Sequence, residues 1–185
     1  MHVVQPRISY TELLRSPEDG RRYEIYDGEV FVVPSPLPRH QMASKALLRV
    51  LDRYATLTGG IALAAPLDVV FSEYDVAQPD LVFFARDRRH LVDPNVPIRH
   101  APDLAVEMLS PTTADTKRGK KMQLFARYGV REYWIVDPVA ARIEVRVLQR
   151  DGTYRLDADL TGDATARSPS FEGLSFEAAE IFRLD

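Results

Sequence analysis

Residues 104–138 read LAVEMLSPTTADTKRGKKMQLFARYGVREYWIVDP, a strand–helix–strand pattern around which the rest of the chain can be placed. Leu104–Leu109 is apolar except for Glu107, the pattern of a central strand covered on both faces. Ser110-Pro111-Thr112-Thr113 follows as a loop with helix-cap chemistry. Asp115–Tyr128 then has helical spacing, with Met122, Leu124, Phe125, Ala126 and Tyr128 on one stripe and Gly129 to close it. Glu132–Val136 is again apolar and pairs with Arg142–Gln149 about Asp137-Pro138.

Working towards the amino end, Asp80–Ala85 reads as strand, entered from a turn at Glu73-Tyr74-Asp75 and left through a polar loop, Arg86–Arg99. Ile61–Ala65 and Leu67–Ser72 are strands separated by Pro66. His40–Thr58 is a helix whose apolar face is Ala43, Ala46, Leu47, Val50, Leu51 and Tyr54, stopped by Gly59-Gly60. Before it, Arg22–Tyr26 and Glu29–Val33 flank Asp27-Gly28, a pair suited to the positive φ angles of a two-residue hairpin turn. Ser9 caps a short helix over Thr11–Arg15. Towards the carboxyl end, weaker strand signals at Tyr154–Leu156 and Leu174–Phe176 lead into Glu177–Phe182. The sum is one α/β (α+β) domain over residues 1–185: a mixed central sheet flanked by two main helices, with an N-terminal hairpin.

Composition narrows the function. The 185 residues are 45% apolar and 28% charged, so a packed core is expected and disorder is not. Cysteine is absent, which removes disulfides, thiolate zinc sites and cysteine nucleophiles together. His2, His40, His90 and His100 have no metal-ligand spacing among them. No segment approaches the about 20 apolar residues of a membrane span or the core of a signal peptide, so a cytoplasmic, membrane-free protein is expected. Net charge is −3, yet Lys117, Arg118, Lys120, Lys121, Arg127 and Arg131 form a run that no acid within the window opposes. Such a run suits phosphate or a solvated helix face.

Two acids stand where acids are costly. Glu107 lies inside the apolar strand, and Pro79-Asp80 leads straight into Leu81-Val82-Phe83-Phe84. Strand alternation puts Glu107 on the face of Ala105 and Leu109, and Asp80 on the face of Val82 and Phe84. Each acid alone can be a strand-end cap or half of a buried ion pair; together, two carboxylates from neighbouring strands call for a divalent cation or a shared proton.

A cation is supplied by the next helix. Positions 121, 124, 125 and 128 share a face, so Lys121 aims its ammonium at the sheet while Lys120, Gln123 and Arg127 lie opposite, in water. Lys117, one turn earlier, is the rival, and a Lys121 that merely snorkels along the apolar stripe is the alternative. Glu24, alternating with Tyr23 and Ile25, reads on pattern alone as an outward acid of a half-buried strand. Ala114–Lys121 imitates a phosphate-binding loop but lacks its first glycine and its final hydroxyl, and no G-x-S-x-G serine hydrolase motif occurs.

In this order, Arg22–Glu29, Pro34-Ser35-Pro36 with His40-Gln41, Pro79-Asp80, Glu107 running into Ser110-Pro111-Thr112-Thr113, Lys121 and Gly129–Pro138 resemble the Uma-type family of restriction endonucleases, once a domain of unknown function and placed in the PD-(D/E)XK nuclease superfamily. The resemblance spans nearly the whole chain. It implies that Asp80 is the acid of the Pro-Asp element and Glu107 that of the E-x-K element. Leu109 stands where the superfamily has lysine, and Lys121 matches a lysine displaced onto the following helix. Glu24 matches a further acid of the amino-terminal signature. Lysines occupy positions 117 and 120, where the family pattern has acids.

The implied activity is metal-dependent hydrolysis of phosphodiester bonds in DNA. Asp80, Glu107 and the Met108 carbonyl would hold Mg²⁺ or Mn²⁺, Lys121 would orient water, and Glu24 would ligate through water or support the others. A homodimer is implied as well, with Tyr133-Trp134 either interfacial or in the core. The competing class is a catalytically silent nuclease-fold scaffold that binds nucleic acid or protein.

Overall fold

The computed structural model of the chain describes residues 6–110 and 115–183, with the backbone alone for 115–118. The expected loop at 111–113 therefore lies outside the described residues, as do the side chains of Lys117 and Arg118.

The amino-terminal elements are α1 (Tyr10–Arg15), β1 (Arg22–Tyr26) and β2 (Glu29–Val33). Ser9 closes a capping box with Glu12 at the start of α1. The β1–β2 hairpin turns at Asp27 and Gly28, whose φ angles of 51° and 84° are what its two-residue turn needs. The chain continues through α2 (Pro38–Thr58), β3 (Ile61–Ala64), β4 (Val69–Ser72), β5 (Asp75–Ala77) and β6 (Leu81–Phe84). After β7 (Leu104–Met108), α3 (Asp115–Arg127), β8 (Glu132–Asp137) and β9 (Arg142–Leu148) come β10 (Tyr154–Thr161), β11 (Thr165–Arg167), β12 (Ser175–Glu177) and α4 (Ala179–Phe182).

The central sheet is mixed, in the order β10-β9-β8-β7-β6-β3, and β7–β8 is its parallel pair. Parallel neighbours need a crossover, which α3 provides. One face packs on α2: Leu47 and Leu51 meet Leu81, Phe83, Leu104, Val106 and Trp134. The other face carries Ala105, Tyr133 and Ile135 against Leu124 and Phe125 of α3. A second sheet, β2-β1-β5-β4, brings the hairpin alongside this α3 layer.

Several expectations are revised. Residues 75–77 form a strand, because Asp75 is buried and accepts the Asp27 N–H and the Tyr128 hydroxyl rather than serving as a turn residue. β4 begins at Val69, two residues late, and β10 runs on to Thr161 across a bulge at Leu156/Ala158 that breaks its alternation. β11 had no recognisable signal. Tyr133 and Trp134 are fully buried, with Trp134 donating to Glu132 at 2.8 Å, so neither is an interface residue in this chain.

Candidate nuclease site

The register of β6 on β7 pairs Leu81 with Val106 and Val82 with Ala105. One step further sets Asp80 opposite Glu107. At this end of the pair the Asp80 N–H donates to the Val106 carbonyl at 3.0 Å, and the Met108 N–H turns to Asp80 Oδ2 at 2.7 Å. A side chain thus satisfies a strand-end donor, and in doing so fixes the plane of its own carboxylate.

Lys121 enters from α3, as its helical face requires. Its ammonium lies 2.5 Å from Glu107 Oε1, 2.7 Å from Glu24 Oε1 and 3.3 Å from the Gln78 carbonyl. The Gln78 contact is a hydrogen bond and the two carboxylate contacts are ion pairs. Lys121 is 6% exposed and Glu24 1%, so both are removed from water.

The outward reading of Glu24 is overturned. Both faces of β1 are covered at this position, and Glu24 also accepts from the Gln78 N–H at 2.8 Å and the Tyr26 hydroxyl at 2.6 Å. Lys120 is not simply solvated either: it pairs with Glu29 and lies over the Phe31 ring. The structure therefore brings Asp80, Glu107, Lys121 and Glu24 together.

These groups line a cleft of about 300 Å³ with Arg22, Pro34–Pro36, His40 and Gln78. Three carboxyl groups crowd one ammonium there in a poorly hydrated place, with Arg22 also on the cleft wall. Burial pushes the Glu107 carboxyl up to about 8; Lys121 opposes this, while Asp80 and Glu24 add to it. Burial also pulls Lys121 down, but Glu107 and Glu24 reverse that and hold its ammonium above the usual lysine range.

Glu107 Oε1 is buried and, apart from its ion pair with Lys121, has no directed hydrogen bond. Crowded carboxyl groups, hard oxygen donors and an incompletely satisfied carboxylate suit a divalent cation such as Mg²⁺ or Mn²⁺. Among the described residues no group of three or more His, Cys, Asp or Glu forms a metal cage. The two carboxyl groups of Asp80 and Glu107 are fewer than a full cage, which suits Mg²⁺ because it keeps waters and substrate oxygens.

The described members of the basic run, Lys120, Lys121, Arg127 and Arg131, are each paired with acids from elsewhere in the chain. Arg127 meets Asp27 at 2.7 Å and Asp75 at 3.5 Å, and Arg131 meets Asp103 at 3.0 Å. These acids come from the hairpin, β5 and the residue just before β7, far from the run in sequence. Gly119-Lys120-Lys121 lies within α3, so no phosphate-cradling loop is present there. No helix among the described residues is long and apolar enough to cross a membrane. Gln78 joins the site through its backbone, which touches both Glu24 and Lys121, and the one sign of this in the sequence is its place just before Pro79-Asp80.

The Uma2 family, described as "Putative restriction endonuclease", matches residues 10–179. Among solved structures, one described as a putative nuclease belonging to DUF820 from Anabaena variabilis ATCC 29413 superposes with a TM-score of 0.77. It is 24% identical, and the match covers 95% of this chain and 97% of that one, a likeness of fold. No curated protein matches.

Proposed function

Because the chain belongs to the Uma2 family, described as "Putative restriction endonuclease", we propose that it is a divalent-cation-dependent endonuclease that hydrolyses phosphodiester bonds in DNA. The observation that carries this reading is the Glu24–Lys121–Glu107 ion cluster facing Asp80 on the wall of one cleft.

Asp80, Glu107 and the Met108 carbonyl would hold Mg²⁺ or Mn²⁺. When bound, the cation supplies charge neutralisation at the scissile phosphate and makes water more acidic. Asp80 contributes a carboxylate already oriented by the Met108 N–H, so little reorganisation is needed. Lys121 keeps positive charge beside Glu107 and favours its ionised, ligating form. The same ammonium stabilises the negative charge that grows on phosphoryl oxygens as the water oxygen attacks and the sugar oxygen leaves. Glu24, saturated by Tyr26, Gln78 and Lys121, acts as a positioning residue that aims Lys121 and does not ligate the cation directly. The active unit is a homodimer, a part of the reading that rests on the family resemblance and is checked by light scattering.

The test pairs Mn²⁺ calorimetry with cleavage assays on linear, circular, single-stranded and branched DNA. Wild type should bind Mn²⁺ and cleave, and Glu107→Gln and Lys121→Ala should not cleave. Normal cleavage by both variants would overturn the site. Failure of wild type to bind the cation or cleave any substrate would favour the silent scaffold.

A further inference from the structure

Asp80 is contacted from a second side. The first turn of α2, which opens with Pro38 as its first residue, carries His40 into the cleft, where Nε2 lies 3.3 Å from Asp80 Oδ1. The imidazole is 12% exposed, and the Asp80 side chain 17%. Asp80 Oδ2 is already taken by the Met108 N–H, so its two oxygens face nitrogens from different layers, one from the sheet and one from the helix. The other site groups come from β1, β7 and α3; α2 contributes His40, with Gln41 beside it on the cleft wall.

The imidazole is also poorly explained by packing. Its Nδ1 is buried and has no hydrogen-bond partner among the described residues. A buried unpartnered nitrogen is a cost that an apolar ring of similar size would avoid. The polar contact that remains to this ring is the one to Asp80.

We propose that His40 is a positioning residue for the cation site: an N–H on Nε2 fixes Asp80 Oδ1 so that the carboxylate presents its free lone pairs to the divalent ion. Outer partners of ligating carboxylates typically change metal affinity by about 10–100-fold. The inference rests on the nuclease reading above and adds to it a residue that needs to touch neither the ion nor the substrate.

The experiment is Mn²⁺ calorimetry on full-length wild type, His40→Phe and His40→Gln, with thermal melts to establish that each is folded. His40→Phe keeps a ring but has no donor; His40→Gln puts an amide N–H near the place of Nε2. The expected result is Mn²⁺ binding about tenfold weaker in His40→Phe and within about threefold of wild type in His40→Gln. If His40→Phe does not fold, His40→Ala takes its place in the same comparison. Equal affinity in wild type and the donor-free variant, or equal weakening in both variants, overturns the positioning role alone. Absence of Mn²⁺ binding by wild type overturns the nuclease reading and this inference with it.

Discussion

Lys121 Nζ lies 2.5 Å from Glu107 Oε1, although the two side chains arrive from a helix and a strand that are consecutive in the chain. The strand delivers a buried acid and the crossover helix returns its counter-charge. Removing the ammonium would leave Glu107 and Glu24 buried without it. Lys121→Met is therefore expected to destabilise the fold by about 3–5 kcal/mol, read by urea denaturation, and to abolish cleavage. A loss below 1 kcal/mol would mean that the pair is far better hydrated than its burial indicates.

Glu107 makes stability depend on pH in a defined direction. Its folded carboxyl titrates near 8 against 4.5 for the ordinary group, so between these values the native state holds a proton that the unfolded chain has lost. Its contribution is complete below about pH 4.5 and is lost as pH rises towards 8. In the metal-free protein, the unfolding free energy of wild type should fall across this window relative to Glu107→Gln. Parallel curves for the two proteins would refute the assignment.

Asp80→Asn retains one oxygen, enough for the Met108 N–H but not for His40 as well, so it should stay folded with a modestly lowered melting temperature. It loses the anionic donor, and cleavage should drop by more than about 100-fold together with Mn²⁺ binding. Cleavage within tenfold of wild type would remove Asp80 from the site.

Arg127, half-exposed, is occupied by Asp27 and Asp75. Arg127→Ala is expected to cost less than about 1 kcal/mol and to leave the dependence of DNA affinity on salt concentration unchanged, since a side chain paired internally releases few counterions from DNA. A slope reduced by about one unit would show instead that Arg127 leaves Asp27 for a phosphate.

Gly60 has no room for a methyl group: a Cβ would stand 2.7 Å from both the Phe83 ring and the Phe84 carbonyl. Gly60→Ala should lower stability by about 1–3 kcal/mol in denaturant unfolding without changing Mn²⁺ affinity, because the clash lies against the strand β6 backbone, away from the cleft.

The β1–β2 hairpin at Asp27-Gly28, the two long helices with their apolar stripes, and the apolar strand around Glu107 are all legible in the amino-acid order. The same order determined that Lys121 faces the sheet, because a helix of 3.6 residues per turn fixes a side chain's direction wherever its apolar neighbours are buried. These are local properties, set by backbone sterics and spacing within a few residues. The tertiary structure decided that Glu24 is interior, that Asp75 begins a strand, that His40 reaches Asp80, and that acids distant in sequence neutralise Arg127 and Arg131. Each of these depends on which segment lies across a gap from another. That is settled by the global packing of α2 and α3 on opposite faces of one sheet, and alternation along a single strand carries no record of whether its second face will be covered.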